Sequence, residues 1–526
     1  MNPVERAVAT ETGSTAPHKA VGRYAWYVLG VLILVYALNF IDRQILSILA
    51  QNVKRDLDLT DAQLGFLYGT AFAIFYATFG IPLGRLADRW NRVTLLALGL
   101  AIWSAMTVLS GFSESFGELA FARIGVGIGE ASAAPAAFSL IAAYFPKEKR
   151  GFALSIYATG AYIGFGISLP LGGWIADSWD ASYALRAAPL GLAGWQAAFI
   201  AVGLPGLLLA VWVFSLREPA RTETPQSAGL PGVSVFRMFG RDLASVIPPF
   251  TLWNIARYPG ELSRNIAALG IVALVSAAMI WLTGDYGQWI ALAIGVYAII
   301  SWIQDLRYSD RPAFHLICAD WALPLCLLSF GCIALLTYSA AFWAAPYAIR
   351  TFGMSATAAG SMIGVPGAIA SALGILAGGR LSDIWKARDP RGRIFTCMIG
   401  AALPIPLIAL MYTRVDLQAY LLISPAVYFV TAVTGGVCVA ACQDLVLPRM
   451  YGTVGSVYLV GTTMIGLALG PYGTGKIATI TGSLQTGVLS MLLITPITLT
   501  ALWFLSRRTT EAEATRFERA RLAGEA

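Results

Sequence analysis

A helix needs about 20 consecutive apolar residues to cross the hydrocarbon core of a bilayer, and this chain has such runs along nearly its whole length. In lipid every backbone N–H and C=O must be satisfied within the segment, so each run is read as a helix. Windows of that size place spans near 24–50, 61–85, 93–112, 116–145, 151–175 and 194–216. A second set falls near 322–349, 356–381, 394–413, 418–446, 452–478 and 485–506. Between the sets, NIAALGIVALVSAAMIWLT (265–283) and GQWIALAIGVYAIISWI (287–303) flank a short GDY turn. We read them as an extra transmembrane hairpin, against the alternative of a hairpin lying on the membrane or docked on a cytoplasmic face. The expected fold is an all-α membrane protein, two six-helix bundles with an inserted two-helix hairpin, 14 spans in total.

Composition supports a polytopic membrane protein. Hydrophobic residues make up 57% of the chain and charged residues 12%, against roughly 45–50% and 25% in soluble domains. The 53 glycines lie mostly inside apolar runs, where small residues let membrane helices approach. The net charge of +7 comes with no basic face or nucleic-acid motif. Its positive residues fall in short loops: GRLADRWNR follows the second span and PKEKRG the fourth, whereas KRDLD, SESFGE and ADSWD after the odd spans lean acidic. Basic loops face the cytoplasm, so both termini are expected there, in the inner (plasma) membrane. Residues 1–20 form a polar N-terminus expected to be disordered, 21–217 the first bundle, 218–264 a linker, 265–304 the hairpin, 318–507 the second bundle and 508–526 a tail. The linker stretch PGVSVFRMFGRDL mixes apolar and basic residues and suits the inner membrane surface. A monomer is expected. The six cysteines lie mostly in apolar runs without His or carboxylate neighbours, so they are read as packing residues and no metal is expected.

The two sets of spans are related. GRLAD at 84–88 recurs as GRLSD at 379–383, an offset that also aligns Gly65 with Gly360, Thr60 with Ser355 and Arg55 with Arg350. A similar offset aligns Gly151, Ser155, Tyr157 and Pro170 with Gly452, Ser456, Tyr458 and Pro471. Parallel halves related by an axis along the membrane normal are a transporter architecture, with the substrate held between them near the midplane.

The run Gly84-Arg85-Leu86-Ala87-Asp88-Arg89-Trp90-Asn91-Arg92 resembles the loop that follows the second span of the major facilitator superfamily. A degenerate copy stands at the equivalent place in the second half. The resemblance covers about 24–506 apart from the hairpin and implies the major facilitator fold. Asn39-Phe40-Ile41-Asp42-Arg43 and Gly127-Ile128-Gly129-Glu130-Ala131-Ser132, continuing as SLIAAYFPKEKRG, narrow the resemblance to the Spinster family. That implies a proton-coupled carrier of an amphipathic, lipid-like substrate, of lysophospholipid or sphingoid type, with membrane lipid and protons as partners, no nucleic acid, and no cofactor beyond the proton gradient. An organic-anion or drug carrier of the same superfamily is the alternative, and a non-transporting membrane receptor the alternative from another class. An enzyme is disfavoured, because His18 and His315 lie outside any polar cluster within the spans.

Four ionisable residues sit inside the first-half spans: Asp42, Arg43, Arg123 and Glu130. Each costs roughly 2.5–3.5 kcal/mol at a helix centre, so they are expected to face one another along the first-half wall of a central cavity. Arg123 and Glu130, seven apart, share a helix face, and the GVGIG between them is expected to open space. Read functionally, Glu130, Asp42 and Arg43 form a proton switch in which Glu130 releases Arg43 on protonation. Read structurally, they form a static ion-pair lock. Arg43, Arg123 and Glu130 are candidate substrate contacts. The second half has Thr337, Tyr338 and Thr431 at the matching positions, and Tyr338, Trp343 and Tyr347 suggest an aromatic wall for an apolar body; packing is the alternative reading. In the gating loop, Gly84 is expected to allow close backbone approach, and Arg85, Arg89 and Arg92 to anchor the loop. By resemblance, Asp88 is expected to face the start of the eleventh standard span near Tyr451, holding the cytoplasmic side shut; topology control by positive charge accounts for the same residues. Gly160, Gly164, Pro170 and Gly173 are read as packing and bending points. The hairpin, which carries only Asp285 at its turn, is expected to be peripheral to transport.

Overall fold

The computed structural model describes residues 22–219, 234–414 and 416–525. The predicted N-terminal segment 1–20 and part of the linker lie outside the described residues. Among those described, 14 helices are long and apolar enough to cross a membrane. The first bundle comprises α1 (Arg23–Asp56), α2 (Asp61–Arg89), α3 (Arg92–Ser110), α4 (Phe116–Tyr144), α5 (Lys149–Ser182) and α6 (Gly194–Phe214). The hairpin is α7 (Glu261–Thr283) and α8 (Tyr286–Ser309). The second bundle comprises α9 (Ala322–Phe352), α10 (Ala356–Lys386), α11 (Gly392–Thr413), α12 (Leu417–Asp444), α13 (Pro448–Thr481) and α14 (Leu484–Ala514).

Local sequence explains the helix ends. Thr60 and Gln63 form a reciprocal capping box that starts α2, satisfying two otherwise orphaned donors. Asn91, Ser115, Ser355, Asp416 and Ser483 each accept a backbone N–H at the start of α3, α4, α10, α12 and α14. The hairpin turns at Gly284, whose φ of 76° is a left-handed conformation that glycine adopts without steric cost. Proline shapes the helix interiors. Pro471 cannot donate a hydrogen bond to the turn before it, and a π-helical turn, Thr462–Leu467, precedes it.

Most predicted boundaries lie within a few residues of the observed ends. Several helices run on past the apolar window at their C-terminal ends, α1 to Asp56 rather than 50, α5 to Ser182 rather than 175, α8 to Ser309 rather than 303 and, farthest, α14 to Ala514 rather than 506. The apolar window ends there, but Leu505, Thr509 and Ala512 keep one helical face buried, so a polar sequence continues the helix. A further short helix, Arg516–Leu522, follows. The linker helix Val235–Ala244 lies across the end of α2, with Val235 and Phe239 packed against the small cluster of Leu86, Ala87 and Leu95.

The turns after α1, α3, α5, α7, α9, α11 and α13 share one face of the bundle, here called the far face. The GRLAD loop, the linker and the C-terminal tail share the other, the termini face. Close packing inside the first half depends on glycine. A Cβ on Gly164 of α5 would lie 2.2 Å from the carbonyl oxygen of Ala37 in α1, and one on Gly160 2.7 Å from that of Ile33.

Candidate functional site: a cavity between the halves and a charged cluster behind its wall

Glu130 ends the first segment of α4. The glycines before it do not open space, as expected from sequence; they close it. A Cβ on Gly127 would meet the Phe72 carbonyl oxygen at 2.6 Å, and one on Gly129 the Trp103 nitrogen at 2.8 Å. α4 is thereby pressed against α2 and α3, and Glu130 is driven, fully buried, towards α1. There Arg43 Nη2 donates to Glu130 Oε2 at 2.8 Å. The guanidinium is caged by aromatic rings, 4.6 Å from the centroid of Phe72 and 5.2 Å from those of Phe40 and Tyr76. Arg123 Nη1 donates to the backbone carbonyl of Asp42 at 3.3 Å rather than to its carboxylate. The Asp42 carboxyl oxygens make no well-formed hydrogen bond among the described residues, with Thr107 and Trp103 as polar neighbours.

The four charges are thus brought together, but not on the cavity surface. Asp42, Arg123 and Glu130 are fully buried, and the Arg43 side chain is 12% exposed. Direct substrate contact by Arg123 and Glu130, expected from sequence, is closed off in this conformation because the aromatic cage and α2 cover them. Removing one partner of such a pair leaves a buried charge uncompensated, a cost of about 3–5 kcal/mol.

A cavity of about 410 Å³ lies between the halves. Tyr36, Phe40 and Gln44 of α1 and Tyr162 of α5 form one side; Tyr338 of α9, Tyr428 and Thr431 of α12 and Tyr458 of α13 form the other. Among the described residues that line it, none is Lys, Arg, Asp or Glu. Thr337, Tyr338 and Thr431, the counterparts of Asp42, Arg43 and Glu130, all reach it. Trp343 and Tyr347 do not, which corrects the sequence expectation. Trp343 Nε1 donates to the Pro471 carbonyl at 3.0 Å, and Tyr347 packs among Tyr412, Tyr420 and Phe352. Both lie behind the wall because they fall off the helical stripe of α9 that carries Ala334, Tyr338, Ala341 and Ala344 to the cavity.

Beyond the cavity, at the far face, the halves are locked together by a set of residues that the sequence reading did not assign to a gate. A Cβ on Gly65 of α2 would lie 2.3 Å from the Pro471 carbonyl oxygen of α13, and one on Gly360 of α10 2.4 Å from the Leu169 carbonyl oxygen of α5, beside Pro170. Gly475 meets Asp61, and Gly173 meets Ala356, as closely. The repeat-related glycines and prolines therefore pack crosswise, each glycine on the other half's proline turn. Polar contacts reinforce them. Arg350 grips both oxygens of Asp61 at 2.9 and 2.7 Å, Lys54 reaches the same carboxylate at 2.6 Å, and Thr357 donates its N–H and Oγ to Asp177 at 2.8 and 2.7 Å. The signal was available in the aligned Gly65/Gly360 and Pro170/Pro471 pairs.

At the termini face, Arg85 and Arg89 both bind Asp242 of the linker helix, at 2.8 and 2.7 Å, and Arg92 binds Glu218 at 2.7 Å. The three arginines anchor the end of the first bundle to its linker. Asp88 is exposed at the end of α2, which packs against the first part of α13. Gly84 is not at a close backbone approach, contrary to expectation: its nearest neighbour is the Pro135 ring, 3.8 Å from a built Cβ. Of the α5 positions, Gly160 and Gly164 serve α1–α5 packing, whereas Pro170 and Gly173 belong to the far-face contact.

Two homologous helical bundles closed at one face around a central cavity define a membrane transporter of the alternating type of architecture. The family model of the Major Facilitator Superfamily matches residues 32–471, and the chain belongs to that superfamily. An MFS-type efflux pump of Mycolicibacterium smegmatis is 27% identical over 456 residues, 87% of this chain and 85% of that protein. A probable galactarate/D-glucarate transporter of Bacillus subtilis is 32% identical over 203 residues, 37% of this chain and 41% of that protein. A crystal structure of a bacterial homologue of the human lysosomal transporter Spinster, in an inward-facing and occupied conformation, superposes with a TM-score of 0.66 at 25% identity, covering 95% of this chain and 99% of that one.

Proposed function

We propose that the protein is a proton-coupled secondary transporter of an amphipathic, lipid-like substrate, working by alternating access in the inner (plasma) membrane with both termini cytoplasmic. The observation that carries this reading is the pairing of an uncharged, largely aromatic and aliphatic cavity with a caged Arg43–Glu130 ion pair directly behind Phe40. A small polyanion such as a sugar diacid needs several cationic partners, and the described cavity lining has none. A molecule with one polar head and an apolar body needs a single cation and an apolar wall. Glu130, with Asp42 beside it, is the proton carrier in this reading: its protonation removes the anionic partner of Arg43, and the freed guanidinium is drawn to the substrate's head group. The basic loops of the termini face support the orientation. The efflux pump among the relatives favours a second reading, a proton-coupled organic-anion or drug carrier.

The test is flux in proteoliposomes with an imposed pH gradient, for wild type, Glu130→Gln and Arg43→Ala. Glu130→Gln keeps the shape and is expected to retain binding with little pH dependence and to lose proton-driven accumulation, with downhill exchange preserved. Arg43→Ala is expected to lose binding and transport together. Full accumulation by Glu130→Gln would move the proton to Asp42; accumulation without a pH gradient would overturn proton coupling.

A further inference from the structure

The inserted hairpin is not an appendage. Its two helices have different surroundings: the apolar window of α7 has no buried residue, whereas α8 packs on α2 of the first half and on α13 of the second. Gly295 faces both at once, since a Cβ there would lie 2.7 Å from Met464 of α13 and 3.0 Å from Ile74 of α2.

One polar side chain of α8 is buried at this junction. Gln288 is 2% exposed. Thr70 Oγ of α2 lies 2.6 Å from Gln288 Oε1 and 2.7 Å from the Ala468 carbonyl oxygen of α13. Gln288 Nε2 donates to that same carbonyl at 3.4 Å. Three elements, two of them from opposite halves, therefore meet in one hydrogen-bonded node inside the membrane. Towards the far face, α8 and the hairpin turn are fixed to α13 by charge. Asp285 pairs with Lys476 at 2.8 Å and accepts from Tyr472 Oη at 2.8 Å, and Lys476 also donates to the Thr283 carbonyl at 2.5 Å.

These contacts give α8 a direction of action. Opening the far face separates α2 from α13, so Thr70 leaves Ala468. α8 packs along α2 but is tied to α13 by charge at its far end; in the latch inferred below that tie keeps Gln288 with Ala468, and Gln288 loses Thr70. Thr70 can then bond its own helix backbone, as threonines commonly do. Gln288 Oε1 has no such option, and an unsatisfied polar atom in lipid is costly. The cost falls on the far-open state alone.

We propose that the α7–α8 hairpin is a third gating element in which Gln288 is a positioning residue, latching α2 to α13 in the far-closed conformation. This replaces the expectation of a peripheral hairpin, and it rests on the alternating-access reading only in requiring that the far face opens.

The experiment is a distance measurement between spin labels at Glu114 and Arg414, exposed far-face positions of the two halves, in protein reconstituted into lipid nanodiscs without added substrate. Wild type is compared with Gln288→Leu, Thr70→Val, the double variant and Gln288→Asn, and each melting temperature is recorded. Leucine suits a bilayer, so insertion is preserved. Membrane hydrogen bonds of this kind lead us to expect the far-open to far-closed ratio to rise about threefold in each single variant. Both variants remove the Thr70–Gln288 bond, and each also removes its own contact with Ala468, so the double variant should fall clearly short of the sum of the two single shifts, and Gln288→Asn should fall between wild type and leucine. An unchanged ratio with a lowered melting temperature would overturn the proposal and leave Gln288 a packing residue. Additive shifts in the double variant would also overturn it, since they would mean independent contacts. The readout involves neither substrate nor proton, so a failed flux assay and a failed latch are separate results.

Discussion

Gly65→Ala places a methyl group against backbone of the opposite half. Its Cβ would sit 2.3 Å from the Pro471 carbonyl oxygen, 2.6 Å from its carbon and 2.7 Å from Tyr472 Cα. Ordinary contact begins near 3.4 Å, so α2 and α13 must part by about 1 Å, and no flexible side chain is available to yield. Overpacking of this kind costs about 1–3 kcal/mol. The clash exists only while the far face is closed, so the cost is paid by that state, and opening relieves it. A bias of that size changes a two-state ratio about 5- to 150-fold. Far-face label distances should therefore show a large gain in far-open molecules, with little loss of thermal stability. Gly129→Ala is the control. Its Cβ would meet Trp103 N at 2.8 Å and Gly99 O at 2.9 Å, both in the same half, so no rocking motion relieves it; the melting temperature should fall and the ratio should stay. If Gly65→Ala behaves like Gly129→Ala, the crosswise glycine–proline contact is packing and not a gate.

Asp88→Asn should shift labels on the termini face towards the open arrangement by about two- to fivefold, the range for a carboxylate at a helix N-terminus; an unchanged distribution would remove Asp88 from closure. For amphipathic competitors, affinity should rise about fourfold per added CH₂, from about 0.8 kcal/mol each, until the cavity of about 410 Å³ is filled; equal inhibition by tailless anions would favour the organic-anion reading. At the tail, Arg449 hydrogen-bonds Glu525 and holds its carboxyl below the usual range. A lowered folded value stabilises the contact above the unfolded value of about 4.3 and loses it as pH falls through the folded value. A spin label at Ala523 should therefore be immobile at neutral pH and become mobile as the pH falls through that lowered carboxyl value, and mobile at every pH in Glu525→Gln.

The spans were legible because apolar length is a direct readout of bilayer thickness, and the two halves because the repeat is written in residues that packing constrains. The charged cluster was legible as a group, since the cost of a lone charge in lipid demands company. Its internal partners were not: Arg123 chooses the backbone of Asp42 over its carboxylate, which depends on how tightly Gly127 and Gly129 draw α4 inward. The aromatics of α9 carried no direction in their identity. Tyr338 faces the cavity and Trp343 the Pro471 turn only because of where the helix stripe falls. The far gate was present in the aligned Gly65/Gly360 and Pro170/Pro471 pairs, but an alignment within a chain shows equivalence, and only the fold shows that each glycine meets the other half's proline. Gln288 was legible as a polar residue in an apolar run; which neighbours it joins was set by the docking of α8.

The charged cluster and the far gate are contiguous through α5. Arg123 holds the carbonyl of Asp42, and Ser168 Oγ donates to the carbonyl of the preceding residue, Ile41, at 2.9 Å. The next residues of α5 are Leu169 and Pro170, the surface on which Gly360 sits. One turn further along α1, Ser47 Oγ donates to the Phe342 carbonyl across the interface at 2.7 Å. The segment of α1 that carries Arg43 is thus tied by backbone carbonyls to both the helix that forms one glycine–proline contact and the opposite half. Under the proposed switch, any movement of α1 on loss of the Arg43–Glu130 bond is felt first at Ser168 and Ser47, the hydroxyls that bridge α1 to α5 and α9. In the proposed proton switch, protonation at the buried pair reaches the far face through these two hydroxyl contacts, from charges that sit behind the cavity wall rather than on it.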